Sequence, residues 1–270
     1  MKKSCLIIFG SVLSLSGIPS SNAALNCTAS PDCASLGYTM TAADCADGVK
    51  VACPTDPTKV FCKAGVQPAT CVVGAILGGD QLCYKDKLPD NVKPVGIVFD
   101  TTNKLAVALT DINSSGSAGS STMIWSANYY DIPALGNCTS STDLTTCGVD
   151  GRANTTAILN CGSSCGTTPA ATATNSYEPS GCSKDFCKKT KWFLPSMRDL
   201  ITLYNAKSYV NASLSLTASS GATTLTESYY WSSTEYDNYD AWKLRMSDCS
   251  RYSSIKYYIT NLYVRPVVKY

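Results

Sequence analysis

The residues of this chain best equipped for chemistry are its cysteines. The sequence holds 15 cysteines and no histidine. Beyond Cys5 they are Cys27, Cys33, Cys45, Cys53, Cys62, Cys71, Cys83, Cys138, Cys147, Cys161, Cys165, Cys182, Cys187 and Cys249. Zinc centres draw on histidine and on Cys-x-x-Cys pairs, and the chain has neither. A dense, even set in an exported chain reads instead as a disulfide framework, whose connectivity spacing alone does not give. Seven fall within residues 25–87 and seven beyond, so either one bridge crosses between the two parts or each part keeps a thiol. Cys249, in a polar C-terminal stretch, is the best candidate for the free thiol if its position is variable. The framework candidates are then Cys27 to Cys187.

Carboxylates come second. Asp237 and Asp240 stand close enough in sequence for acid–base work, but there is no histidine to act as base, and two acids in a polar loop are ordinarily solvated. Asp237, Asn238, Asp240 and Asp248 offer the oxygen ligands that calcium takes, yet no spacing marks a site. The expectation is no catalytic residue, no metal and no cofactor.

Recognition remains. More than half of the 16 tyrosines follow Leu225, all but Tyr270 of them in "YYWSSTEYDNYDAWKLRMSDCSRYSSIKYYITNLYVRPV". Tyrosine supplies contact area at low entropic cost, and serine, asparagine and aspartate supply adaptable hydrogen bonds. The expected ligand-binding residues are Asp237, Asn238, Tyr239, Asp240, Arg245, Asp248, Ser250, Tyr252, Ser253, Ser254, Ile255, Tyr257, Tyr258, Thr260 and Asn261. Trp231 and Trp242, in apolar strand-like settings, are expected to be framework, as are Trp192 and Leu194.

Other elements must hold that stretch in place. Residues 1–23 read as a signal peptide: Lys2 and Lys3, an apolar run from Leu6 to Leu15, and Ser21-Asn22-Ala23 before the cut. No later run could span a bilayer, so the expectation is an exported protein. A net charge of +2 argues against the concentrated positive surface that nucleic acid requires. Composition shifts near residue 88. Residues 24–87 are cysteine-rich and poor in large aliphatics, and read as a small module of short strands and turns stapled by bridges. Residues 88–270 read as α+β with mainly antiparallel strands and a few helices. "VGIVFD" and "KLAVALTDI" form a hairpin about "DTTN", and "TMIWS" is a further short strand. "ANTTAIL" is a short helix, and residues 162–191 are loop-rich. "LPSMRDLITLYNAK" is the clearest helix: Ser196 caps it, Asp199 reciprocates, and Met197, Leu200, Ile201 and Tyr204 share a face. "SLSLTASSGATTLT" reads as loop or weak hairpin. "YYWSSTE", "AWKLRM" and "YVRPVVKY" are strands separated by polar loops.

The ordered set "VGIVFDTTNKLAVALTDI", "DGRANTTAIL", "WFLPSMRDL", "YWSSTE", "AWKL" and "YVRPV", over residues 92–268, resembles the DUF1566 group, also called the Lcl C-terminal domain family. The resemblance implies a C-type-lectin-like domain of the formylglycine-generating-enzyme type, in which "YVRPVVKY" returns beside "VGIVFD". Some members are variable proteins of diversity-generating retroelements, in which randomised asparagine codons cluster on a C-terminal ligand-binding face. Here all the ligand-binding residues named above, with Cys249, Ile259 and Leu262, are types such a process yields. Trp242, Lys243, Met246 and Lys256 are not, and would be fixed. The related fold also includes copper oxidases with a cysteine pair, but Cys182 and Cys187 precede "WFLPSMRDL" and read as a structural bridge. The triplets with which sugar-binding C-type lectins hold calcium are absent; "YEPSG" lacks the asparagine. The implied partner is a protein or glycan on another cell or in the medium. The alternative is an invariant adhesin or structural surface protein with one fixed partner; the oligomeric state is left open.

Overall fold

The computed structural model describes residue 33 and residues 40–41, 49–63, 70–257 and 262–270. The expected signal peptide, Cys27, Cys45, Tyr258, Thr260 and Asn261 lie outside the described residues, as does the side chain of Cys62.

Near the N-terminus β1 (Met40–Thr41), β2 (Val49–Cys53) and β3 (Asp56–Lys63) form an antiparallel sheet in the order β1-β3-β2. The Cys33–Cys53 bridge fastens it, as a segment with little core of its own requires.

A six-stranded sheet forms the centre. Its strands are β4 (Ile76–Gly78), β5 (Cys83–Tyr84), β6 (Pro94–Asp100), β7 (Leu105–Ala108), β8 (Trp192–Phe193) and β13 (Val267–Lys269), in the order β5-β4-β6-β7-β13-β8. Every residue of β6 and β7 is buried, because helices cover both faces of the sheet. Ile97, Phe99, Leu105, Val107 and Val267 pack with α3 (Met197–Asn205) and α4 (Lys207–Leu216). Val95, Val98, Ala106, Ala108 and Val268 pack with Ile158 of α1 (Gly151–Asn160) and the alanines of α2 (Pro169–Ser176). Strands covered on both sides carry continuous apolar runs rather than alternation. The fold is α+β with mainly antiparallel strands, as expected.

The hairpin turn is closed by Asp100, whose carboxylate accepts from Asn103 N at 2.9 Å and Asn103 Nδ2 at 2.7 Å. Two expectations are corrected here. The sheet begins before residue 88: Ala75 to Leu77 are fully buried, β4 takes β6 as its ladder partner, and Cys71–Cys83 ties β4's approach to β5. A boundary at 87/88 would therefore cut the central sheet. The last strand does not pair with "VGIVFD" but with β7 and β8, because β4 and β7 already occupy the two edges of β6.

The capped helix is as expected. Ser196 Oγ accepts from Asp199 N at 3.1 Å, and Asp199 Oδ2 accepts from Ser196 N at 2.9 Å. Ser196→Ala is expected to cost about 1 kcal/mol in a denaturant melt; an unmoved midpoint would show that the cap adds nothing. α2 falls in the stretch expected to be loop-rich, and α4 runs into the start of the stretch read as loop or weak hairpin. Tyr209 Oη on α4 lies 2.8 Å from Thr55 Oγ1, and the Cys33–Cys53 bridge packs in the same apolar cluster as Tyr209. The N-terminal sheet is thus docked on the body rather than separate from it.

The third sheet carries the tyrosine-rich segment. It contains β9 (Tyr229–Glu235), β10 (Asp240–Arg245), β11 (Arg251–Ile255) and β12 (Leu262–Tyr263), in the order β11-β10-β9-β12, with β12 parallel to β9. Trp231 and Trp242 are buried in different apolar clusters. Their indole N–H groups donate to Met123 O at 2.8 Å and Cys138 O at 2.7 Å, so both are framework. Trp192 and Leu194 are buried too. "TMIWS" is not a ladder strand; its backbone instead donates to Leu262 O and Lys256 O. "YVRPVVKY" divides into β12 and β13 about Arg265, which is fully buried.

Candidate recognition face

Two turns shape this face. Between β9 and β10, Asp237 Oδ1 accepts from Tyr239 N and Asp240 N, both at 2.8 Å, an Asx-type closure. Between β10 and β11, Asp248 grips the Arg245 guanidinium with both oxygens and accepts from Ser250 N at 3.0 Å. The hydrogen bond from Arg245 holds the Asp248 carboxyl well below the usual carboxylate range. Asp237 and Asp248 are therefore occupied in building turns. Cys249 follows in left-handed backbone at φ 60°. It is buried and disulfide-bonded, which corrects the expectation of a free thiol. The Cys138–Cys147, Cys161–Cys165 and Cys182–Cys187 bridges are formed as well.

Five of the remaining expected residues, Tyr239, Arg245, Tyr252, Ser254 and Tyr257, fall in two aromatic groups. In the first, Tyr129 lies 5.3 Å from Tyr239 and 6.4 Å from Tyr257 between ring centroids. These three rings are 45%, 55% and 52% exposed. In the second, Tyr252 stands 6.1 Å from Tyr229, with Lys243 Nζ 4.6 Å and the Arg245 guanidinium 5.5 Å from the Tyr229 ring. Lys243 pairs opposite Tyr252 and donates to Ser254 Oγ at 3.3 Å. Ile255 at the end of β11 is exposed, whereas Ser250, Ser253 and Ser254 are half-buried. Asn238 and Asp240 are half-buried at the turn, and Asn238 uses its backbone carbonyl. Tyr129 was not found from sequence. It lies far upstream in an irregular segment, and only tertiary packing brings it to Tyr239.

Beneath the first group lies a buried ion pair. Lys256 and Glu235 have fully buried side chains in direct contact. Lys256 Nζ also donates to Tyr130 O at 2.9 Å and Asn238 O at 3.4 Å, and Ile132 N donates to Glu235 Oε2 at 3.2 Å. The Trp125 ring lies 5.0 Å from the amine. The Lys256 backbone N–H donates to Tyr239 O at 3.0 Å. One lysine thus ties together the β9–β10 turn, the 125–132 segment and the strand end beside Tyr257. Burial raises the Glu235 carboxyl to about 7 and lowers the Lys256 ammonium.

Other features compete poorly for a functional role. A cleft of about 650 Å³ is lined by Lys93, Ser117, Tyr177, Glu178, Lys189 and Ser220, and shares no residue with the tyrosine groups. "GSSCG", Gly162–Gly166, has the Gly-x-Ser-x-Gly spacing of a nucleophile elbow. It forms a 3₁₀ turn after α1 beside the Cys161–Cys165 bridge, not a strand-to-helix turn. Among the described residues no cluster of three or more His, Cys, Asp or Glu could hold a metal, and no helix is long and apolar enough to cross a membrane.

No family model and no curated protein matches the chain. Among solved structures it is similar to a fimbrial protein from Bacteroides ovatus, at 17% identity and a TM-score of 0.47 over 73% of this chain. The match covers 48% of that protein, so the chain spans less than half of its length.

Proposed function

We propose that this chain is an exported, non-catalytic recognition protein whose tyrosine face binds a protein or glycan on another cell or in the medium. The observation that carries the reading is the exposed trio Tyr129, Tyr239 and Tyr257 standing on a fully buried support. Exposed aromatics held on a rigid base are well suited to binding, because little freedom is lost on contact. Five bridges among the described residues fit an oxidising compartment.

Tyr239→Ala and Tyr257→Ala tested singly on glycan and surface-protein arrays should each weaken binding by about 2 kcal/mol, roughly 30-fold. Their melting transitions should move by less than about 0.5 kcal/mol. Unfolding of either variant, or unchanged binding by both, would remove the trio from the function.

The finer reading is a C-type-lectin-like domain of the DUF1566 kind with a diversified face. Its support is the division of side chains: Trp242, Met246 and Lys256 are buried, while Tyr239, Tyr252, Ile255 and Tyr257 are exposed. Cys249 and Leu262 are buried and join the fixed set. An invariant adhesin is favoured instead by Asp237 and Asp248, whose turn-closing bonds restrict exchange. Sister copies of the gene within one strain separate the two, since diversification requires differences at the exposed positions alone.

A further inference from the structure

The Lys256–Glu235 pair differs from the other lysine–carboxylate pairs among the described residues. Those of Lys188, Lys191 and Lys207 are partly exposed, whereas here both side chains are fully buried. The surroundings orient the amine. Tyr130 O and Asn238 O accept two of its N–H bonds, and its remaining direction faces the Glu235 carboxyl. The Ile132 N–H donates to Oε2, and the Trp125 ring lies beside the amine. A dry nitrogen nucleophile held against a carboxyl, with a fixed N–H on the carboxyl oxygen, is an arrangement for acyl transfer. Burial disfavours both charges, so the uncharged amine and the uncharged acid, the forms that react, are favoured over what water would allow.

We propose that Lys256 and Glu235 join in an intramolecular amide bond. The Lys256 Nζ lone pair attacks Glu235 Cδ and the N–C bond forms, with negative charge developing on Oε2 against the Ile132 N–H. The C–Oε1 bond then breaks. Oε1 leaves with the carboxyl proton and one amine proton as water, and the other amine proton stays on the amide nitrogen. No oxidant or cofactor enters the balance. The bond closes a covalent ring over residues 235–256, which contains all the expected contact residues from Asp237 to Ile255. Reduction, which opens disulfides, would leave this staple intact.

Mass spectrometry of the intact mature protein, reduced and denatured and compared with the mass of its processed sequence, is the test. The wild type should be lighter than its sequence by one water. Trypsin should fail to cut after Lys256 and should yield a branched peptide joining residues 208–243 to a segment that starts at Tyr252. Lys256→Met and Glu235→Ala should each restore the full mass. A wild type of full mass, cut normally after Lys256, overturns the proposal and leaves an ion pair only. That result stands on the wild type alone, so it holds even if neither variant folds. Ligand binding plays no part in the readout.

Discussion

Arg265→Ala is expected to destabilise the protein by about 3–5 kcal/mol, the cost typical of stranding one half of a buried charge pair. The guanidinium is fully buried and saturated. Nε donates to Ala108 O at 2.9 Å, and Nη2 donates to Leu109 O at 2.8 Å and Thr223 O at 2.6 Å. Nη1 donates to Asp111 Oδ1 at 3.0 Å. Asp111 in turn accepts from Tyr230 Oη and Thr226 Oγ1, each at 3.0 Å. Alanine would leave three carbonyls and a carboxylate without their cation, plus a cavity. Arg265→Met fills most of the space, so it separates the two causes: if charge dominates, methionine should be nearly as damaging as alanine. Adding Asp111→Asn to Arg265→Met should then recover part of the loss. Denaturant midpoints measure all three variants, and a loss below about 1 kcal/mol for Arg265→Ala would mean that water enters the site. The consequence reaches the recognition face, because Tyr230 lies in β9 and the same aspartate steadies it.

That anchor was half legible in the sequence. "YVRPVVKY" reads as a strand, but nothing local says that the arginine within it points inward. The same limit explains the other misses. α3 could be read because its signals are local: a Ser196–Asp199 capping box and an apolar stripe. α4 could not, because "KSYVNASLSL" is rich in serine and asparagine, which favour caps and turns over helix interiors. It is held by remote partners: Ser213 Oγ donates to Gly74 O at 2.5 Å, and Asn211 Oδ1 accepts from Leu225 N at 2.9 Å. β11 reads as loop because "RYSSI" is polar, as an edge strand of a half-exposed sheet can be. At the candidate site, composition located the tyrosines of the C-terminal segment. It could not locate Tyr129, or show that Asp237 and Asp248 serve turns, since both depend on where other chain segments pass.

Lys256→Met is expected to produce a stability loss that grows with pH, which probes the support of the tyrosine face. The substitution keeps the stem's bulk and removes the nitrogen, whether ion-paired or amide-bound, leaving a fully buried Glu235 carboxyl with the Ile132 N–H as its remaining donor. Burial already raises the Glu235 carboxyl to about 7 with lysine present, and without it the shift goes further in the same direction. The unfolded chain releases that proton near pH 4.3, so above this the folded state binds more protons than the unfolded state. A group with a raised folded pKa adds its full stability below the unfolded pKa and loses it as pH rises through the folded one. The variant should therefore be mildly destabilised near pH 5 and lose about 3–5 kcal/mol near pH 8, where a buried carboxylate would stand alone. The Glu235→Gln/Lys256→Met double variant has no carboxyl to titrate, so its curve should lack this slope. Parallel curves for the single and double variants would show that Glu235 is reached by water once lysine is gone. Because Lys256 also bonds the turn carrying Tyr239, binding by the single variant should weaken over the same pH range, ahead of global unfolding.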